Sequence, residues 1–424
     1  MLFSFACVLM FSEPTLKGAV TLDLTAKPVE ISPLLFGHNL EGGDAKGIFG
    51  PDHSNNSVTG DGFWDPEAKQ PTQQGLRALK EAGATLLRYP GGCLGHGYEW
   101  KKMIGPLKDR PLHPFGLMEF MALCEKAEVE PLMTLPDYAA SPQDVEDLAQ
   151  FLLAPATPGN PWAQKRAEWG HPAPYKVKRF ELGNETDHGN HELTPRKLWS
   201  ADDYSAWALD CLRRIKKVSP AAVVGPHLGT SFPNVDDPWN DVVLKRLGKE
   251  ADFLVIHPYG IAAFNPPKPE ELEVSRLMEA CMAQGEQHQA ALRKYKSRIK
   301  ERTGRDIPLY ATEYNAAFVQ EKPKPLRYSL GGALFAADFL RIMMNPDSGV
   351  KAANYWQILN GYWGMVEERL PDRPRSQAAL PLFKLWKDRF GPLWIPTQSQ
   401  GPTAEFQPVS GAITRAAFGS ALVA

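Results

Sequence analysis

The stretch EPLMTLPDYAASPQDVEDLAQFLL, Glu130–Leu153, carries the two signals that decide the fold. Glu130–Leu135 is a short apolar run of strand length, the pattern of a strand buried in a parallel sheet. Ser141-Pro142 with Asp144 three residues after the serine reads as a helix start, and Val145, Leu148 and Leu152 follow with helical spacing. A strand leading into a capped helix is the repeating unit of an α/β fold.

The same unit recurs in both directions. Candidate strands are Pro33–Leu40, Ala84–Tyr89, Glu130–Leu135, Val177–Gly183, Ala222–Pro226, Asp252–His257, Ile307–Glu313 and Ala352–Gln357, with helical patterns such as Leu117, Phe120, Met121 and Cys124 between them. Eight such units over roughly 250–350 residues predict an α/β chain built as a (β/α)8 TIM barrel. An open nucleotide-binding sheet would place a Gly-rich turn after its first strand. Neither G-x-G-x-x-G nor G-x-x-x-x-G-K-[ST] occurs, and the glycines at 91, 92, 95 and 97 follow the second strand instead. The expected division is a leader remnant and strand over 1–31, the barrel over 32–390, and a small, partial β layer over 391–424. In that layer the alternating Val20, Leu22 and Leu24, read as a half-buried strand, should pair with Ala412–Phe418; a final helix, Ala378–Phe390, precedes it.

Composition narrows the function. With 43% hydrophobic and 23% charged residues, the 424-residue chain has ordinary globular composition, which excludes disorder. Forty-seven Lys and Arg against 49 Asp and Glu leave a net charge of -2, so no basic field exists for a nucleic-acid partner. The 5 cysteines include no Cys-x-x-Cys pair, against a disulfide framework, a zinc ribbon or a thioredoxin motif. The apolar run Leu2–Phe11 falls short of the ~20 residues of a membrane span. It has no preceding Lys or Arg and no clear cleavage site, so it reads equally as a leader remnant or a buried strand. Localisation therefore stays open between secreted or periplasmic and cytoplasmic.

Catalytic residues of a barrel sit at the C-terminal ends of its strands. Glu185 ends the fourth strand in Phe180-Glu181-Leu182-Gly183-Asn184-Glu185, and Glu313 ends the seventh in Leu309-Tyr310-Ala311-Thr312-Glu313-Tyr314-Asn315. Strands four and seven face each other across the mouth. Two carboxyls ~5–5.5 Å apart suit retaining glycoside hydrolysis, and ~6.5–9.5 Å suits inversion. One must stay protonated and the other ionised. A lone Glu would read as an exposed or salt-bridged residue; the two strand-end motifs together favour the catalytic reading. Trp100 and Gln357 are candidate subsite walls, with Trp64 and Trp363 as further loop candidates, whereas Trp207 and Trp386 read as packing. Asp187-His188-Gly189-Asn190-His191-Glu192 looks like a metal cluster but lacks helical i, i+4 spacing and a third distant ligand, so a solvated loop is the better reading. No metal or cofactor is expected. No Gly-x-Ser-x-Gly elbow occurs, and the basic run Arg293–Arg305 reads as a solvated helix face.

Several stretches carry a family likeness: Leu35–Glu41, Leu87–Cys93, Tyr98-Glu99-Trp100, Ile104-Gly105-Pro106, Arg110-Pro111, Asn160–Glu168 with Gly170-His171-Pro172, and Gly183-Asn184-Glu185. Through them the chain resembles the α-L-arabinofuranosidases of glycoside hydrolase family 51, in the clan of retaining barrel glycosidases. The resemblance implies that Glu185 is the acid/base and Glu313 the nucleophile. It further implies that Asn184 binds the hydroxyl next to the anomeric carbon, that Tyr259 of His257-Pro258-Tyr259 orients the nucleophile, and that Arg88 keeps it ionised. Arg88 has a structural alternative as an ion pair with Glu181 or Glu313. Glu41, Cys93 and His257 fall among the sugar-binding residues, with Cys93 equally readable as a small residue filling a tight turn. The implied partner is a plant polysaccharide or oligosaccharide, and a homo-oligomer is left open.

The sequence departs from the family at three places. Arg88-Tyr89-Pro90 stands where Arg-Trp-Pro is expected, Gly42-Gly43-Asp44 replaces a His-containing continuation and precedes an insertion-like Gly47–Pro66, and too little chain follows the last helix for the family's C-terminal β-sandwich. Three readings follow: an exo-acting α-L-arabinofuranosidase, an endo-β-1,4-glucanase or xylanase on the same barrel, and a non-catalytic carbohydrate-binding barrel. Intact Glu185 and Glu313 argue against the third, and the shape of Gly42–Pro71 would separate the first two.

Overall fold

The apolar runs all become strands: β1 (Gly37–Glu41), β2 (Leu86–Gly91), β3 (Glu130–Leu135), β4 (Arg179–Leu182), β5 (Val223–Pro226), β6 (Leu254–Ile256), β7 (Leu309–Tyr314) and β8 (Val350–Tyr355). They are seen in a computed structural model that describes residues 18–42, 56–190, 195–260, 274–316, 330–359, 364–367, 375–376, 378–401, 403–406 and 419–422. All eight lie in one parallel sheet in chain order, and β8 returns to β1 with Asn354 opposite Gly37. The seam between β5 and β6 is joined by a parallel bridge, His227 to Val255, and by the Leu228 N–H donating to the Val255 carbonyl at 2.9 Å. Closing the sheet into a ring removes its unpaired edges. β1 begins at Gly37 rather than Pro33 because Pro33–Phe36 closes as a 3-10 turn, where the missing proline N–H costs nothing.

A helix follows each strand: α1 (Gln73–Ala82), α2 (Leu117–Ala127), α3 (Pro142–Leu153), α4 (Ala201–Val218), α5 (Pro238–Leu247), α6 (Val274–Thr303), α7 (Leu330–Met344) and α8 (Ala379–Arg389). The cap expected on α3 is present. Ser141 Oγ accepts from the Asp144 N–H at 3.2 Å, and the Asp144 carboxylate accepts from the Ser141 N–H at 3.0 Å. Ser200 and Asp203 repeat the arrangement on α4. The stretch Asn160–Glu168 forms a short helix over Pro161–Glu168, tied to the end of α3 by the buried Arg166 guanidinium, which donates to the carbonyls of Phe151, Ala154, His171 and Pro172.

Leu86, Leu132, Phe253, Val255, Tyr310 and Ala352 form an apolar floor inside the barrel, with the Phe253 and Tyr310 rings stacked at 3.9 Å. Residues two apart on a strand point the same way. The next inward positions are therefore Arg88, Thr134, His257, Thr312 and Asn354, joined by Glu181 from β4 and Asn39 from β1. A polar layer thus rests on a dry base, and the site is built on that layer.

The two chain ends do pair, though with different partners from those expected. Ala19–Leu22 runs antiparallel to Thr397–Gln400, and Val29–Glu30 to Leu393–Trp394. Ala412–Phe418 lies outside the described residues. Val20, Leu22 and Leu24 are 61%, 51% and 66% exposed, which corrects the half-buried reading: among the described residues this ribbon has no second layer packed on it. Among the same residues no helix is long and apolar enough to cross a membrane.

Candidate active site

Arg88 is the hub. It is fully buried, and each of its five N–H groups meets an acceptor. Nε and one Nη2 hydrogen grip Glu181 at 2.6 and 3.0 Å, Nη2 also reaches Asn184 Oδ1 at 2.7 Å, and Nη1 reaches Glu313 Oε1 at 2.8 Å and Asn39 Oδ1 at 3.1 Å. This forked geometry is available to a guanidinium and not to an ammonium. Burial opposes the Arg88 charge, but Glu181 and Glu313 outweigh it and raise its pKa further. Both alternatives offered for Arg88, an ion pair with Glu181 and one with Glu313, are realised together.

Glu181 is equally buried. Burial pushes its carboxyl up, yet the Arg88 and His257 cations bring it down to about 2. Its remaining lone pairs accept from Thr312 Oγ1 at 2.9 Å and Thr134 Oγ1 at 3.2 Å.

Glu313 reaches the same centre through an irregularity in β7. Ala311 lies opposite Ala353 and Tyr314 opposite Tyr355, so three steps on β7 match two on β8. Such a bulge re-aims a side chain. Here both Thr312 and Glu313 face the barrel interior, where strict alternation would admit one. Glu313 Oε2 accepts from the Tyr259 hydroxyl at 2.7 Å. Burial pushes the Glu313 carboxyl above its ordinary value, and His257, Arg88 and Tyr259 restrain that rise.

Glu185 is aimed by backbone. Gly183 has φ 86° and Glu185 φ 44°, both in the left-handed region. A Cβ at Gly183 would lie 2.6 Å from Thr186 Oγ1, so the position needs glycine twice over. A non-glycine residue in that region costs ~1–2 kcal/mol. The turn carries Glu185 to His257, whose Nδ1 sits 2.9 Å from Glu185 Oε1 and 3.7 Å from Glu313 Oε2. One oxygen of each carboxylate and a His257 ring nitrogen all lie within 4.8 Å of one another. Burial lowers the His257 pKa, but Glu313, Glu181 and Glu185 overcome it and raise it to about 9. Burial likewise pushes Glu185 up, but His188 and His257 take it well below the usual carboxylate range.

The other expected residues divide. Asn184 is held by Arg88 through its Oδ1, which leaves Nδ2 buried and without a hydrogen-bond partner among the described residues. Gln357 Nε2 donates to Glu41 Oε2 at 3.2 Å, which joins the ends of β8 and β1. Cys93 is half-buried; burial, with the charges of Glu185, Glu313 and Glu41, keeps its thiol protonated. Trp100 does not join the cluster through any described contact. Its indole is buried against Phe151 and Trp162 with the N–H on the Asp144 carbonyl, so it packs the barrel against α3. Trp64 is also core, against Phe115. Trp207 and Trp386 pack as expected. Trp363, His191 and Glu192 lie outside the described residues.

Sequence reading missed Thr312 and Thr230, and it took Asp187 and His188 for a solvated loop. Asp187 Oδ2 instead accepts from the Thr230 N–H at 2.9 Å and hydroxyl at 2.7 Å, and His188 Nε2 lies 2.6 Å from that hydroxyl. The Thr-Glu pair at 312–313 was in view, but only the bulge turns both inward. Carboxylates and histidines also cluster closely enough at Glu181, His227 and His257 for a cation. All four lone-pair positions of Glu181 are already used by Arg88 and the two threonines, so internal hydrogen bonds account for that packing.

The likeness to known proteins agrees with this geometry. The family model described as the alpha-L-arabinofuranosidase 1 domain matches residues 78–201. An intracellular exo-alpha-(1->5)-L-arabinofuranosidase of Streptomyces lividans is 28% identical over 257 residues, 56% of this chain and 36% of that one. An exo-alpha-(1->6)-L-arabinofuranosidase of Bifidobacterium longum is 25% identical over 345 residues, 71% of this chain and 63% of that one. The chain thus spans about a third to two thirds of the length of these relatives. Among solved structures, a family 51 alpha-L-arabinofuranosidase from Bifidobacterium longum superposes with a TM-score of 0.75 at 19% identity, covering 96% of this chain and 82% of that one. With the barrel and the strand-four and strand-seven glutamates in place, the chain is similar, over these stretches, to the α-L-arabinofuranosidases of glycoside hydrolase family 51.

Proposed function

We propose that the chain is a retaining glycoside hydrolase, an exo-acting α-L-arabinofuranosidase that releases arabinose from hemicellulose or arabino-oligosaccharides by double displacement. The observation that carries this reading is the pairing of Glu185 and Glu313, with oxygens within 4.8 Å of each other. One oxygen of each within that distance is consistent with the ~5–5.5 Å carboxyl separation of retaining enzymes.

In the first step the Glu313 carboxylate attacks the anomeric carbon. The glycosidic C–O bond breaks, and the leaving oxygen takes a proton from Glu185. In the second step water attacks the same carbon, gives its proton to Glu185 and releases Glu313. Arg88 and Tyr259, each on a different Glu313 oxygen, hold the nucleophile in its attacking orientation. The proton for the first step rests on the His257–Glu185 pair, written as imidazolium and carboxylate in the free site. A bound sugar that displaces water favours the neutral form of that pair, because separated charges lose solvation. Once Glu313 is esterified its negative charge is gone, which eases ionisation of Glu185 and suits it to act as base. The unpartnered Nδ2 of Asn184 is a ready donor for a sugar hydroxyl.

A panel of nitrophenyl glycosides tests the reading. The α-L-arabinofuranoside should be cleaved, and Glu185→Ala and Glu313→Ala should each lose at least 10²-fold. Azide should rescue Glu313→Ala with an inverted glycosyl azide. Cleavage of a cellobioside alone would favour the endo-glucanase reading, and wild-type rates in both variants would remove the carboxylate assignment.

A further inference from the structure

We propose that His188 is a second positioning residue for Glu185, held by Thr230 and Asp187 on the side where the leaving group departs. The proposal rests on Glu185 as the acid/base.

The two oxygens of Glu185 face two different histidines. On the inner side, Oε1 lies 2.9 Å from His257 Nδ1. His257 Nε2 is 3.0 Å from Thr312 Oγ1, and that hydroxyl donates to Glu181 at 2.9 Å. On the outer side, Oε2 lies at ion-pair distance, 3.6 Å, from His188 Nδ1. His188 Nε2 is 2.6 Å from Thr230 Oγ1, and that hydroxyl donates to Asp187 at 2.7 Å. Both arms have the same order: carboxylate, threonine, histidine, Glu185.

The order fixes the tautomer. A threonine hydroxyl has one hydrogen, and Asp187 Oδ2 takes it, since that oxygen also accepts the Thr230 N–H at 2.9 Å. His188 Nε2 must therefore donate to Thr230, which turns Nδ1 toward Glu185. In its neutral form His188 offers a lone pair to a protonated Glu185; in its cationic form it offers an N–H to the carboxylate. At 3.6 Å His188 acts on Oε2 through its ring dipole or charge while His257 bonds Oε1, so the carboxyl plane is steered from both ends. Two further features surround the arm. Asp187 Oδ1 is buried with no partner among the described residues, and Arg196 Nη2 reaches the His188 carbonyl at 3.5 Å.

The arms differ in exposure. The His257 side chain is 1% exposed and that of His188 is 47% exposed. His188 thus borders the open side of the acid/base, where the group that receives the proton must sit. It should matter most when that group needs protonation, and little when the leaving group departs as a stable anion.

The experiment compares wild type with His188→Phe, Thr230→Val and Thr230→Ser on a pair of aryl glycosides of the sugar the enzyme cleaves, one with a 2,4-dinitrophenyl and one with a phenyl leaving group. His188→Phe and Thr230→Val should lower kcat/KM on the phenyl glycoside by about tenfold or more and on the dinitrophenyl glycoside by about twofold or less. Thr230→Ser keeps the hydroxyl and should behave as wild type. Ring 15N spectra of histidine-labelled protein supply a readout that needs no substrate: neutral His188 should be the Nε2–H tautomer in wild type and Thr230→Ser, and a mixture in Thr230→Val. Equal losses on both glycosides, or an Nδ1–H tautomer in wild type, would overturn the proposal. Failure to cleave any arabinofuranoside, with the spectra as expected, would count against the arabinose assignment and leave the arm in place.

Discussion

Replacing Arg88 by lysine tests the whole polar layer with one change. The ammonium keeps the charge but has three N–H donors in place of five. At least two of the acceptors on Glu181, Glu313, Asn184 and Asn39 must then lose a partner at a fully buried position. Buried hydrogen bonds to charged groups contribute about 1.5–3 kcal/mol each, so the loss is about 3–6 kcal/mol. An unfolding entropy of about 2.1 cal/mol/K per residue amounts to about 0.9 kcal/mol/K over 424 residues. The melting temperature should therefore fall by about 3–7 °C.

Function should change in a direction set by electrostatics. The Arg88 guanidinium is one of the groups that restrain the rise of the Glu313 carboxyl. Withdrawing it from 2.8 Å raises that carboxyl further, so Glu313 stays protonated to higher pH. The acid limb of the kcat/KM profile should move to higher pH, and kcat/KM at neutral pH should fall by at least about 10². The assays are a thermal melt and a pH–rate profile on the cleaved aryl glycoside. A folded Arg88→Lys variant that kept both the wild-type acid limb and the wild-type melting temperature would refute the hub role of Arg88.

Two further outcomes follow from groups held away from their ordinary protonation states. His38 is buried beside Phe383, with both ring nitrogens unpartnered among the described residues, and burial lowers its pKa from 6.5 to about 3. The unfolded chain thus binds the extra proton, and stability is lost as pH drops below 6.5 toward 3. At pH 5 this site should cost about 2 kcal/mol relative to neutral pH, and His38→Leu should reduce the acid-induced drop in melting temperature by about 2 °C; an unchanged drop would contradict the neutral, buried histidine. The Cys93 thiol is held protonated by burial and by three nearby carboxylates, so it should resist iodoacetamide at pH 8 in native protein. Rapid labelling of the Cys93 peptide, followed by mass spectrometry, would show that the thiol is not in that environment.

Local chemistry made much of this protein legible in its sequence. Apolar runs mark all eight strands, because a strand buried on both faces must be apolar along its length. Glu130–Leu135 agrees with the expected bounds residue for residue, and the Ser141 and Asp144 cap marks its helix start. Glu185 and Glu313 could be singled out as candidates because barrel chemistry gathers at strand ends, a rule that needs only the strand order. Trp100 misled for a related reason: an aromatic residue in a loop after a strand reads alike whether it faces a sugar or α3, and only the packing of Phe151 and Trp162 around it decides.

By itself, then, the sequence determined the barrel, the order of its units and the two carboxylates, all of which follow from periodicity and caps within about twenty neighbouring residues. Tertiary structure alone decided how those carboxylates are wired. The bulge that turns both Thr312 and Glu313 inward is a mismatch in register between β7 and β8. The ribbon partners at 393–400, the five acceptors around Arg88, and the two threonine-locked histidines on Glu185 join residues up to several hundred positions apart. Hydrogen-bond geometry over 3 Å depends on where closure of the ring places each strand end, and no local pattern of residue types encodes that distance.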